Sequence, residues 1–135
     1  MHEHQKIDDF LNATSFAVVG ASTSRAKYGN MVFRCLLEYS DAVVPVNPNA
    51  KRVEGIGAHA SLTTIDPAPE AISIITQPDV TEEAVRTAIT MGIRHIWLQP
   101  GAENAAAINM ASEAGCNLIH SGPCLLVVLG MRRHG

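Results

Sequence analysis

A chain of 135 residues has room for one domain, and at this size it buries enough of its unfolded surface to need neither disulfides nor a metal. With 47% hydrophobic and only 17% charged residues, it suits a parallel sheet covered on both faces better than a one-sided antiparallel sheet. The formal net charge of −3 excludes a broad basic footprint for nucleic acid or a membrane surface, so any polyanion must be held locally.

Residues 1–14 read as a lead-in helix, with Ile7, Phe10 and Leu11 at helical spacing. Met1 to Phe10 is too charged for a secretory leader. Phe16-Ala17-Val18-Val19 is a strand buried on both faces. It hands over to Gly20-Ala21-Ser22-Thr23-Ser24-Arg25-Ala26-Lys27-Tyr28-Gly29, the first β–loop–α turn of a nucleotide-binding domain. In such a turn the loop N–H groups and those at the helix start converge where a phosphate can be held. Val32, Cys35, Leu36 and Tyr39 then mark the buried stripe of a crossover helix from Asn30 to Ser40, with Cys35 in the core.

The second strand, Ala42 to Pro48, ends in prolines that stop it at the ligand-facing edge. A dinucleotide-binding domain places an acid about 20 residues after its glycine turn to bind the ribose; this chain offers Asn47, with Lys51 and Arg52 behind it. The opening loop also lacks G-x-G-x-x-G. Together these count against NAD and fit a nucleotide carrying an extra phosphate. Val53 to Ala60 reads as a turn or small hairpin, and Ser61 to Pro69 as a connection.

The third strand, Ala71 to Thr76, leads through Gln77-Pro78 to a helix that Asp79 and Glu82 open as a capping box and Gly92 closes. His95-Ile96-Trp97-Leu98 is the fourth strand, with Trp97 in the core, and Gln99-Pro100-Gly101 its turn. A helix from Glu103 to Ala114 follows, then the fifth strand Asn117 to His120, the loop Ser121-Gly122-Pro123-Cys124, and a frayed tail at residues 131–135. The apolar run Leu125 to Leu129 is far too short to span a membrane. The predicted fold is α/β: a Rossmann-like, doubly wound parallel sheet of about five strands with helices on both faces, one domain over residues 1–135. Its loops at Gly20, Asn47, Gln77, Gln99 and Ser121 should meet in one crevice.

Cys35, Cys116 and Cys124 are odd in number and lack C-x-x-C spacing, which points to a reducing cytoplasm and to no metal site. No nucleophile elbow or Ser/His/Asp grouping stands out. Cys124 and His120 are the candidate catalytic residues. They either face the crevice as a thiol and base, or serve the fold as a small buried hydrophobe and an internally bonded histidine.

Val18-Val19-Gly20-Ala21-Ser22 with Arg25 and Lys27-Tyr28-Gly29, then Val44-Pro45-Val46-Asn47-Pro48-Asn49, then Gly92-Ile93-Arg94-His95-Ile96-Trp97-Leu98-Gln99-Pro100-Gly101, resemble the stand-alone CoA-binding domain proteins of bacteria. These are similar in turn to the CoA-binding domain of the succinyl-CoA synthetase α subunit. The resemblance implies coenzyme A or an acyl-CoA as ligand. Gly20, Ala21, Ser22, Thr23, Arg25, Lys27 and Tyr28 would bind the diphosphate, Pro45, Val46, Asn47 and Pro48 would line adenine and ribose, and Lys51 would lie near the 3′-phosphate. Gln77, Pro78, Gln99, Pro100 and Gly101 would line the pantetheine route. Two departures fall at the thiol end: Thr76-Gln77-Pro78 where many relatives carry an arginine, and Ser121-Gly122-Pro123-Cys124, closer to the synthetase loop than to the Asp-Arg-Cys form.

Coenzyme A carries roughly four negative charges near neutrality, and charge-assisted contacts from Arg25, Lys27, Lys51 and Arg52 would answer them. The leading expectation is a non-catalytic module for sensing, carriage or delivery to a ligase or acyl-transfer partner, with the oligomeric state open. The alternatives are an enzyme acting on a CoA thioester or disulfide through Cys124 and His120, and an NAD(P)- or nucleotide-binding redox-regulatory module.

Overall fold

The apolar strand Phe16–Val19 (β1) is the centre of the sheet because every one of its side chains is buried. The computed structural model describes residues 3–134, with side chains as far as Gly130. Around β1 run Val43–Val46 (β2), Ala71–Ile74 (β5), His95–Leu98 (β6) and Asn117–Ile119 (β7), after a small antiparallel hairpin of Arg52–Val53 (β3) and Ile56–Gly57 (β4). The main sheet is five-stranded in the order β2-β1-β5-β6-β7, and every pairing in it is parallel. This is the doubly wound order in which the chain reverses direction across the sheet between β1 and β5, and ligands of such sheets lie at that switch point.

Alternation along each strand sends side chains to two cores. Phe16 and Val18 of β1 and Trp97 of β6 face one layer, made by Glu3–Leu11 (α1), Tyr28–Tyr39 (α2) and Leu125–His134 (α5). Ala17 and Val19, with Ile96 and Leu98, face the other, made by Pro78–Thr90 (α3) and Ala105–Glu113 (α4). The first core is aromatic: Phe10 meets Trp97 edge-on at 5.2 Å between ring centroids and packs on Phe16 at 5.6 Å. Trp97 is fully buried, and its Nε1 donates to Pro123 O at 3.0 Å, so the core also holds the loop after β7.

Several boundaries differ from the sequence reading. The expected frayed tail is instead the end of α5, helical through His134, because Leu125 and Leu129 stand one turn apart and both bury against the first core; Gly135 lies outside the described residues. The lead-in helix spans Glu3–Leu11, with Met1 and His2 outside the described residues. α3 starts without the capping box: Gln77 takes the N-cap position with no side-chain bond, and Pro78, lacking an N–H and fixed near helical φ, occupies the first turn. α2 begins at Tyr28, two residues early, and Phe33 rather than Tyr39 fills its buried stripe; Tyr39 is exposed and donates its hydroxyl to Leu11 O. Cys35 is half-buried against that core.

Candidate functional site

The chain can turn from β1 into α2 only because two glycines touch there. Gly20 has φ +96°, and a Cβ on it would lie 2.0 Å from Ile75 O; a Cβ on Gly29 would lie 2.2 Å from Gly20 O. The start of α2 is thereby pressed against the end of β1, beside the switch point. α2 opens on Lys27 with no side-chain cap and no acidic residue in its first turn, so its leading N–H groups and the positive end of its dipole are directed into the loop. A helix start of this kind suits an anion.

The loop is braced from below by asparagines. Asn30, fully buried, donates its Nδ2 to Ser22 O at 2.8 Å, and its Oδ1 accepts from Arg34 Nε at 2.7 Å. Arg34 in turn reaches Arg25 O at 3.4 Å. Asn47, expected to face a ribose, donates its Nδ2 to Ala21 O at 2.9 Å and accepts from Asn49 N at 2.7 Å. It ties the end of β2 to the loop after β1. Ser22 accepts from Ser24 N, while Thr23, Arg25, Ala26 and Lys27 stand out into solvent.

Beside Gly20 opens a cavity of about 240 Å³ at the carboxyl ends of β1, β2 and β5. Val19, Val46, Pro48, Leu62, Val80 and Ala84 give it apolar walls, and Ser61, Thr76, Glu83 and Thr87 add polar groups. Pro45 is buried beneath this edge, and Lys51 and Arg52 are exposed on the stretch that follows. Arg52 reaches Gly55 O at 3.4 Å, whereas Lys27 and Lys51 form no ion pair among the described residues.

At the far end of the rim, Gln77 and Pro78 at the start of α3 and Pro100 and Gly101 after β6 are exposed. Gln99 is not: its side chain is fully buried, its Oε1 accepts from Leu125 N at 2.9 Å and Tyr28 hydroxyl at 3.2 Å, and its Nε2 donates to Ser73 Oγ at 3.1 Å. It supports the site from beneath rather than lining it. The Tyr28 hydroxyl also forms a short hydrogen bond with Cys124 Sγ, which joins the first loop to the last. Burial foremost, then the bond to Cys124, push the Tyr28 phenol well above its ordinary value, so it stays protonated.

No hydrogen bond joins Cys124 to His120 among the described residues. The His120 ring bonds Ser121 Oγ at 2.6 Å and lines a separate hollow of about 320 Å³ with Glu3 and Lys6, while the partner of Cys124 is Tyr28. Cys116 is remote from the rim, and burial raises its thiol pKa. No group of three or more metal-ligating side chains gathers among the described residues, and no helix there is long and apolar enough to cross a membrane. The sequence reading missed Asn30 and Glu54, whose contacts with the loop depend on how α2 and the hairpin fold over it. Val53 to Ala60 reads as a turn or small hairpin, but nothing in that stretch says what its tip would touch.

Residues 14–130 match the family described as the CoA binding domain. The chain belongs to that family. Among curated proteins, this CoA-binding domain chain is 29% identical over 107 residues to the uncharacterized protein YneT of Bacillus subtilis, covering 76% of both chains. It is 38% identical over 73 residues to the α subunit of the ADP-forming acetate–CoA ligase II of Pyrococcus furiosus, matching 53% of this chain but 16% of that subunit. Among solved structures, a hypothetical protein from Pyrococcus horikoshii superposes with a TM-score of 0.89 at 28% identity, over all of this chain and 94% of that one.

Proposed function

We propose that this chain binds coenzyme A or an acyl-CoA as a single non-catalytic unit that holds its ligand for sensing, carriage or delivery. The observation that carries the reading is the junction at Gly20, where the uncapped start of α2, the cations Arg25 and Lys27 and an apolar cavity meet at the switch point of a CoA-binding domain family member. In this reading the diphosphate rests on Gly20, Ala21, Ser22 and Thr23 and the first turn of α2. Adenine enters the cavity beside Val46 and Pro48, and Lys51 meets the 3′-phosphate. The pantetheine arm runs along Gln77, Pro78, Pro100 and Gly101 toward Tyr28 and Cys124. Cys35, Cys116 and Cys124 form no disulfide among the described residues, which suits a reducing cytoplasm. The match to a ligase subunit supports a ligase or acyl-transfer protein as the partner that would take the ligand onward.

Melting curves with coenzyme A, dephospho-coenzyme A, ADP and NADH test the reading. A ligand at 100 times its dissociation constant adds about 2.7 kcal/mol to stability, several degrees in a domain of this size. Coenzyme A is expected to shift the melting temperature most, and Lys51→Ala to abolish its advantage over dephospho-coenzyme A. A shift with NADH alone would replace the ligand by a dinucleotide. The bonding of Cys124 to Tyr28 rather than to His120 favours a binding role over thiol catalysis.

A further inference from the structure

Arg25, a cation of the loop, is turned toward a carboxylate of its own chain. Glu54 sits at the tip of the β3–β4 hairpin with φ +52°, followed by Gly55 at φ +77°. Both central residues of this two-residue turn therefore take positive φ, a conformation that favours asparagine or glycine over glutamate. Its Oε2 accepts from Asn30 Nδ2 at 3.0 Å, the same amide that holds Ser22 O, and its Oε1 lies 3.5 Å from Arg25 Nη2. One oxygen of Glu54 is thus anchored in the buried frame of the loop, and the other is presented to a cation that stands mostly in solvent.

A carboxylate held this way has the chemistry of a phosphate oxygen: negative, accepting from an amide, paired with a guanidinium. We infer that Glu54 is an internal anion that competes with ligand phosphate for Arg25, so that the hairpin sets the affinity of the loop. The inference rests on residues 20–28 being the phosphate-binding loop. A phosphate arriving there must draw Arg25 off Glu54 and tolerate the carboxylate beside it. A weakly charged ligand gains little by doing so, whereas a diphosphate gains enough to make the exchange.

The test is calorimetric titration of wild type, Glu54→Gln, Arg25→Ala and the double variant with coenzyme A, ADP and inorganic pyrophosphate. Glutamine keeps a carbonyl oxygen for Asn30 and removes only the charge. Glu54→Gln is expected to bind each of the three about 3- to 10-fold more tightly at low salt, a range set by an exposed ion pair plus one like charge removed. The gain should shrink in high salt and fall in the Arg25→Ala background to the smaller part that comes from removing a like charge beside the phosphate. Unchanged or weaker binding by Glu54→Gln, or a gain that is just as large without Arg25, would overturn the inference. Should Glu54→Gln fail to fold, the carboxyl carbon resonance of Glu54 in the wild type must move as pyrophosphate saturates the protein, and a static resonance overturns the inference equally. Tighter pyrophosphate binding by the variant while neither protein takes coenzyme A would keep the inference and remove the ligand assignment. Equal coenzyme A binding by both would do the reverse, and no uptake of any of the three would remove both.

Discussion

The two ends of the crevice are held together by different physics. Where β1 runs into α2, main chain lies on main chain: the sites of Gly20 and Gly29 leave no room for a single added carbon. Beyond β6 and β7, side chains far apart in sequence do the holding, with Tyr28 and Gln99 reaching Cys124 and Leu125, and Trp97 reaching Pro123. A junction of the first kind fails abruptly when an atom is added. One of the second kind weakens by increments as hydrogen bonds are removed.

The largest effect is therefore expected at the glycine junction. In Gly29→Ala the new Cβ would stand 2.2 Å from a backbone oxygen, which has no flexible end that could swing aside. The destabilisation should be about 3 kcal/mol, the upper range for an overpacked site, and should appear as a lower urea midpoint. Gly122→Ala, at the other end of the crevice, meets nothing within 4 Å and should stay within about 0.5 kcal/mol of wild type. Similar midpoints for the two would mean that α2 can move off β1, and the contrast between the ends would be lost.

Gln99→Leu should come next. It keeps the volume roughly constant but leaves the Leu125 N–H and the Tyr28 hydroxyl without their acceptor and Ser73 Oγ without its donor. Buried groups left unpaired cost about 1–3 kcal/mol, so a loss near the middle of that range is expected, with faster amide exchange at Leu125 marking its place. An unaltered exchange rate at Leu125 would show that Gln99 does not hold α5.

The same contrast explains what could be read from the chain alone. Gly20, the strand of β-branched residues before it and the regular alternation of β and α segments are local patterns, and local patterns disclosed the doubly wound sheet and the first loop. Gln99 read as a lining residue because it follows a strand end. Its burial depends on Ser73, on the neighbouring strand β5, and on the start of a helix 26 residues later, neither of which leaves a trace near Gln99. α5 was hidden for a similar reason: Leu125 to Leu129 is too uniformly apolar to show a helical stripe, and only packing against α2 gives it a direction. Glu54 belongs to the same class, since its turn was legible and its target was not.

The smallest effect separates the one bond that joins the two ends. Tyr28→Phe removes the hydroxyl that binds both Gln99 and Cys124 and should cost about 1 kcal/mol near neutral pH. Its pH dependence has a definite sign. The folded protein holds the phenolic proton to well above the ordinary value of 10.0, chiefly because the hydroxyl is desolvated and next because of Cys124. The unfolded chain releases that proton near pH 10, so above this pH the unfolded state binds fewer protons than the native one, and the stabilisation from Tyr28 declines as pH rises. Below pH 10 the contribution is fully present. Wild type and Tyr28→Phe should thus differ by a constant amount between about pH 7 and pH 9 and draw together above pH 10, as followed by urea unfolding at each pH. A gap that stayed constant into strong alkali would mean that the phenol titrates alike in both states. Neither burial nor Cys124 would then hold that proton, whereas the absence of any gap near neutral pH would mean that each end of the crevice stands without the other.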